Sequence, residues 1–355
     1  MKKVIKRVSV LFLVIGTLYC VQSCKNKNEN SNSDYQSVAD FAFKEKLSDY
    51  GFFIGKLKDL KSNEGILSYK LNSALFTDYA LKDRFIVVPK GTKMKYTSSG
   101  VLDFPNGTIL IKNFAYTNTD HQKIMIETRL LAKNPKDKKW YVMNYLWNKE
   151  QTDAVKHISG ANIPITLLDE ENNIVSTTYK VPNTNDCKRC HVNQAVLTPI
   201  GPKAMNLNNV VSGENQLGKW ADSGYLQGLP EITKVPVLPN WEDEDTYDLN
   251  QRARAYLDIN CAHCHTKGGD AFNTGLFLEY GQNEKSVVGI MKEPVSAGGG
   301  ANGLNFDIVP GNASESILYN RMDSTVPGTA MPELGRSVKH KEGIKLIHDW
   351  IQSMK

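Results

Sequence analysis

The stretch "NCAHCHTKGG", residues 260–269, sets two cysteines and two histidines within ten positions, and its reading decides the fold of the C-terminal part. A second stretch, "DCKRCHVNQA" at 186–195, repeats the spacing, so that Cys187, Cys190 and His191 match Cys261, Cys264 and His265. Of the six cysteines, only Cys20 and Cys24 stand outside these motifs. No further pair is left for a structural disulfide in a mature chain.

Cys-x-x-Cys-His is the attachment pattern of a c-type haem. Two thiols on one turn form thioethers with the two vinyl groups, and the adjacent histidine ligates the iron. A structural zinc site would use two cysteine pairs but has no need of the histidine that follows each one. A thioredoxin-like redox pair lacks that need too, and neither motif lies in a strand-to-helix context. The expectation is therefore two covalent haem c groups, one on Cys187, Cys190 and His191, the other on Cys261, Cys264 and His265.

The N-terminus fits this chemistry, which takes place outside the bacterial cytoplasm. "MKKVIKRVSVLFLVIGTLYCVQSC" has four basic residues, an apolar run too short for a confident membrane span, and small or polar residues before a cysteine. "VQSC" resembles a lipobox with Cys24 as the lipidated residue; Cys20, preceded by Tyr19, fits worse. The expectation is a signal peptide over 1–23, a membrane anchor at Cys24 and a polar tether over 24–35. Loss of 1–23 removes four of 43 basic residues and no acidic one, which leaves positive charge nearly balanced by the 38 acidic residues. No basic cluster remains to bind nucleic acid.

From about Gly65 to Pro182 the chain is rich in β-branched and aromatic runs, "RFIVV", "GTILIKNFAY", "KIMIETRLLA" and "WYVMNYLW", separated by turn signals such as "PKGT", "PNGT" and "NPKDKK". This predicts a β-sandwich or jelly roll over 36–182. Between 183 and 240 the pattern changes to loops and short helices around the first motif. One helix is expected in "SGENQLGKWADSGYL", capped by Ser212, burying Leu217, Trp220 and Ala221 and stopped at Gly224. Pro230, Pro236 and Pro239 mark a linker and a boundary near Asn240.

Over 241–355, Leu249, Ala253, Tyr256 and Leu257 share one helix face that leads into Cys261, and the acidic "EDEDTYD" opposes the helix dipole at its start. Ile344, Leu346, Ile347, Trp350 and Ile351 form the stripe of a terminal amphipathic helix. The expected fold class is an α+β multidomain chain, a β-sandwich-like N-terminal domain followed by mainly α-helical cytochrome c parts. "SAGGGANG" at 296–303 lacks the Gly-Lys-Ser/Thr of a phosphate loop and reads as a flexible loop.

With these motifs and helices in place, residues 245–355 resemble the class I c-type cytochromes. The resemblance implies a methionine from the loop before the last helix as sixth iron ligand. "TAMPELG" offers Met331 there, with Met322 in "LYNRM" as the next choice and a packing role as its simpler reading. "TPIGPKAMNLN" resembles the glycine-proline loop of that family, which implies that the Pro202 carbonyl orients His191. For the first iron the sixth ligand is left open between Met205, His157 and none. His263 is expected to point away from iron at the surface, and His340 and His348 to be solvated or packing residues.

The layout, including "LFTDYALKDRFIVVPKG", "LDFPNGTILIKNFAY", "ETRLL", "YLWNKEQTDA" and "RARAYLDINCAHCH", resembles a family of bacterial di-haem cytochrome c lipoproteins with a β-rich N-terminal part, over nearly the full mature chain. That resemblance implies two haems and an exported site, and it names no substrate. The functional expectation is single-electron transfer between redox partner proteins. Two rivals are a peroxidase-like or dehydrogenase-like haem enzyme with an open first iron, and a binding module in the β-rich part with the haems as its redox output.

Overall fold

The β-branched and aromatic runs pair where the turn residues between them let the chain reverse. The computed structural model describes residues 42–168 and 173–355; the signal peptide expected at 1–23, Cys20, Cys24 and the tether expected at 24–35 lie outside them. The strands are β1 (Ile66–Ser68), β2 (Leu81–Val87), β3 (Met94–Lys95), β4 (Ile109–Thr117), β5 (Lys123–Lys133), β6 (Trp140–Trp147), β7 (Ala154–His157), β8 (Ala161–Leu168) and β9 (Ile174–Val181). Six of them form an antiparallel sheet in the order β1-β2-β4-β5-β6-β7, and β8 and β9 form a separate hairpin. With the helices that follow, the chain is α+β.

Alternation along the strands gives the sheet two different faces. One carries Phe85, Ile111, Leu130 and Tyr145 and is covered by residues 47–60, where Phe53 meets Phe85 edge-on at 5.0 Å and the Tyr50 and Tyr145 hydroxyls lie 2.9 Å apart. The other carries Ile86, Leu110 and Leu131, which pack with Leu207, Leu217 and Trp220, and, further along, Phe114 against Ile165 and Tyr179 of the hairpin. Between these two apolar clusters the register sets Arg84, Lys112, Arg129, Asn144 and His157 directly opposite one another on β2, β4, β5, β6 and β7. A polar row thus crosses the middle of an otherwise apolar face.

Helix α1 (Thr184–His191) lies against β6 beside this row. Asn183 caps it, accepting from the Asn185 and Asp186 amides while Asp186 returns a bond to the cap amide. The helix expected at 212–224 is α2 (Gln216–Asp222), and its cap is corrected: Asn215 accepts from the Gly218 amide at 3.0 Å. Ser212, at φ 54, instead makes with Gly213 the turn of a small hairpin whose strands are Val210–Val211 and Glu214–Asn215. Leu217 and Trp220 are buried as expected, and Ala221 packs against the same core.

The proline-rich stretch to Asn240 is anchored at several points. Val235 and Leu238 are buried, the Leu238 amide donates to Met205 O, and Ser73 Oγ donates to Pro239 O. Beyond it, α3 (Leu249–Asn260) starts at Asp248, which forms a reciprocal cap with Gln251, and crosses α4 (Lys341–Ser353). Tyr256, Leu257, Ile347, Trp350 and Ile351 fill their joint core; each fully buried side chain of this size contributes about 1.5–3 kcal/mol.

Contacts between the β-rich and C-terminal parts are specific. The buried Asp78 carboxylate accepts from the Ser337 and Val338 amides at 2.7–3.1 Å, the Phe76 ring stacks on His340 at 3.9 Å, and Lys203 pairs with the buried Asp258 at 2.7 Å. The described residues cluster as one compact unit. Among the described residues no helix is long and apolar enough to cross a membrane.

Candidate functional site

Each Cys-x-x-Cys-His motif sits where a helix ends. In the first, α1 turns Cys187 toward the sheet, where its thiol lies 3.9 Å from Asn144 Oδ1, and burial pushes that thiol up to about 11. His191 is the last residue of α1, with Nδ1 2.8 Å from the Thr198 carbonyl. A carbonyl only accepts, so Nδ1 carries the proton and Nε2 keeps its lone pair. Burial lowers the His191 pKa to about 4, so the ring is neutral at physiological pH. The expectation for Pro202 is corrected: its carbonyl accepts from the Leu102 amide, and Thr198 holds His191. The reason is the short hairpin after α1, in which the Thr198 amide also bonds back to His191 O.

In the second motif α3 delivers Cys261 as its C-terminal cap, and burial raises that thiol to about 12. His265 is likewise held near 4 by burial, opposed by a hydrogen bond to the Leu276 backbone, with Thr274 Oγ1 3.4 Å from Nδ1. Cys261, Cys264 and His265 line a cavity of about 390 Å³ together with Met322, Met331 and Pro332. Met322 is buried in the helical core while Met331 is half-buried on a loop, its amide on Arg321 O and its carbonyl on the Arg336 guanidinium.

The two motifs meet. The Gln194 amide donates to Gly268 O at 2.8 Å, Asn193 reaches Lys267 O, and Arg189 pairs with Asp270 and Glu333. The thiols of Cys190 and Cys264 and a His263 ring nitrogen all lie within 4.8 Å of one another. The expectation of a surface His263 is thereby corrected: the ring is half-buried in the seam, and its Nδ1 is buried with no hydrogen-bond partner. The Cys190 thiol is lowered, first by the hydrogen bond from Cys264 and then by His263. His340 packs, stacked on Phe76 with Nδ1 2.9 Å from the Tyr256 hydroxyl, and His348 lies toward solvent beside Asp349.

Two smaller cavities, of about 140 and 100 Å³, adjoin the first motif, and both are lined by Cys190, His191, Lys112 and Arg129. Neither Met205 nor His157 lines either of them; His157 Nε2 is 2.8 Å from Gly160 O, and Met205 is half-buried beneath Leu238. Arg84 lines the larger one. Arg129 is neutralised by a two-point pair with the buried Glu127, at 2.7 and 2.9 Å. Arg84 and Lys112 face this space without an acidic partner among the described residues. A buried guanidinium without an acidic partner is costly, and a ligand with carboxylates, such as haem, would offset that cost at Arg84. Four free thiols, two neutral imidazoles with an open Nε2 and cavities beside both motifs complete a donor set that fits two haem c groups.

No family model matches the chain, and no curated protein or solved structure matches it either. Sequence reasoning missed the row Arg84–Lys112–Arg129. Its only signal was a basic residue inside each of three apolar runs.

Proposed function

We propose that the chain is an exported, lipid-anchored di-haem c-type cytochrome that carries single electrons between redox partner proteins. The observation that carries this reading is the repeated Cys-x-x-Cys-His motif, present at two places that the fold brings into one seam, with all four thiols free. Haem iron, when bound, supplies one-electron exchange between ferric and ferrous states. The residues of the chain do the rest. Cys187 and Cys190, and Cys261 and Cys264, are the attachment thiols; His191 and His265 are proximal ligands held in their tautomer by Thr198 and Leu276; Met331 is the sixth ligand at the second site. With Met331 closing the second iron, no coordination position is left there for a substrate, which favours outer-sphere electron exchange.

The resemblance to bacterial di-haem cytochrome c lipoproteins, with Cys24 as anchor, supports an external face. Cys24→Ala is expected to move the protein from the membrane to the soluble fraction; retention on the membrane would contradict the anchor. The six-stranded sheet with the β8–β9 hairpin laid on it is read here as a β-sandwich-like module.

A second reading, a haem enzyme with an open first iron, is favoured by one observation: Met205 and His157 stay away from the cavities beside His191. The discriminating experiment adds cyanide to the holoprotein and measures peroxide reduction with an artificial donor. Weak cyanide binding and turnover no faster than free haem support the carrier; tight binding at the first haem with substantial turnover supports the enzyme.

A further inference from the structure

We infer that the Lys112 amine is the sixth ligand of the first haem iron. The inference rests on the di-haem reading above and deepens it, since it supplies the ligand that neither Met205 nor His157 is placed to supply. Lys112 stands at the centre of β4, opposite Arg84 on β2 and Arg129 on β5. It lines both cavities that His191 lines. Among the described residues its Nζ has no hydrogen bond and no ion pair, and its one recorded contact is the Phe114 ring, 4.9 Å from the centroid.

The remaining walls offer little else. The larger of the two cavities holds no methionine and no second histidine. Asp186 is tied into the cap of α1, and Arg84 and Arg129 have no lone pair to give. In the smaller cavity, Met322 and Met331 also face His265, and the His340 ring nitrogen is engaged by Tyr256. His263, which lines the smaller cavity too, belongs to the second motif.

The surroundings also explain why a lysine can serve. Like charges placed directly opposite across a sheet repel, and three basic side chains in one buried row make the ammonium the unfavourable form of the middle one. Burial, with Arg84, Lys82 and Arg129 adding to it, lowers Lys112 well below the usual lysine range. A neutral amine is a strong-field nitrogen donor, whereas an ammonium has no lone pair.

The experiment compares the holoprotein with Lys112→Arg, which keeps a long basic side chain but has no lone pair to ligate with, with Lys112→Leu, and with His263→Ala. Haem content is read by intact mass, and spin state by ferric EPR and absorption spectra. Both Lys112 variants are expected to retain two haems and convert half of the iron from low to high spin, while His263→Ala stays low spin. Low-spin iron retained in both Lys112 variants, or lost in His263→Ala instead, would overturn the ligand assignment. A parent protein carrying fewer than two haems would overturn the di-haem reading itself, and it shows in the mass before any spectrum is recorded.

Discussion

The thiols of Cys190 and Cys264 lie within 4.8 Å of each other, although they belong to different motifs, one in α1 and the other in the turn after α3. If each motif carries a haem, as proposed, thioethers at this pair would bring the two groups close together. Charge on one iron would then be felt at the other. At an effective dielectric of about 20, unit charges roughly 10 Å apart interact by ~1.7 kcal/mol. In a potentiometric titration the two haems are expected to give separate one-electron steps. Replacing Cys187, Cys190 and His191 by alanine is expected to shift the midpoint of the remaining haem. Two identical, independent midpoints would contradict the shared seam.

Met331 and Met322 both line the cavity beside His265, and only one is free of the core. Met331→Ala is expected to turn the second haem high spin and lower its potential, because a thioether ligand favours ferrous iron. Met322→Ala is expected to leave the spectrum low spin and to cost about 2–5 kcal/mol in unfolding free energy, as large-to-small core changes do. An exchange of these two outcomes would move the ligand to Met322.

The crossing of α3 and α4 depends on Gly343, where an added Cβ would overlap the Tyr256 ring. Gly343→Ala is expected to destabilise the protein by about 1–3 kcal/mol, the usual range for overpacking. Adding Tyr256→Leu should recover part of that loss. Thermal unfolding checks both, and an unchanged midpoint in the single variant would show that the helices separate freely.

His340 gives stability a pH dependence. Its ring is buried against Phe76 and Tyr256, with Glu342 3.6 Å from Nε2 and Lys82 and Arg336 nearby, and its pKa falls from 6.5 to about 4, chiefly by desolvation. Below pH 6.5 the unfolded chain takes up a proton that the folded chain refuses until about pH 4. Stability from this group is therefore complete above pH 6.5 and is lost as pH falls toward 4, by up to ~3 kcal/mol. Denaturant unfolding of His340→Gln against the parent across this window should show a shallower acid limb in the variant. Parallel curves would remove His340 as the cause.

Part of this was legible in the chain because it is local. Helices α3 and α4 follow from apolar spacing at 249–257 and 344–351, and the Cys-x-x-Cys-His motifs are complete within five residues. The strands of β2, β4, β5 and β6 follow from composition. What stayed hidden depends on contacts between distant residues. Arg84, Lys112 and Arg129 become one row only when the register of three strands is known, and His263 becomes buried only when the two motifs dock. Thr198 displaced Pro202 as the acceptor for His191 because a two-residue-stranded hairpin after α1 brings its carbonyl closer, and no pattern in "HVNQAVLTPIGP" announces that turn.

The most direct test of the account is the intact mass of the protein after acid-acetone extraction, expressed in a host that matures c-type cytochromes. Two haems are expected to remain on the chain, one lost with Cys187→Ala/Cys190→Ala and the other with Cys261→Ala/Cys264→Ala. A chain that keeps one haem or none, or that carries zinc at Cys190, His263 and Cys264 instead, would contradict it.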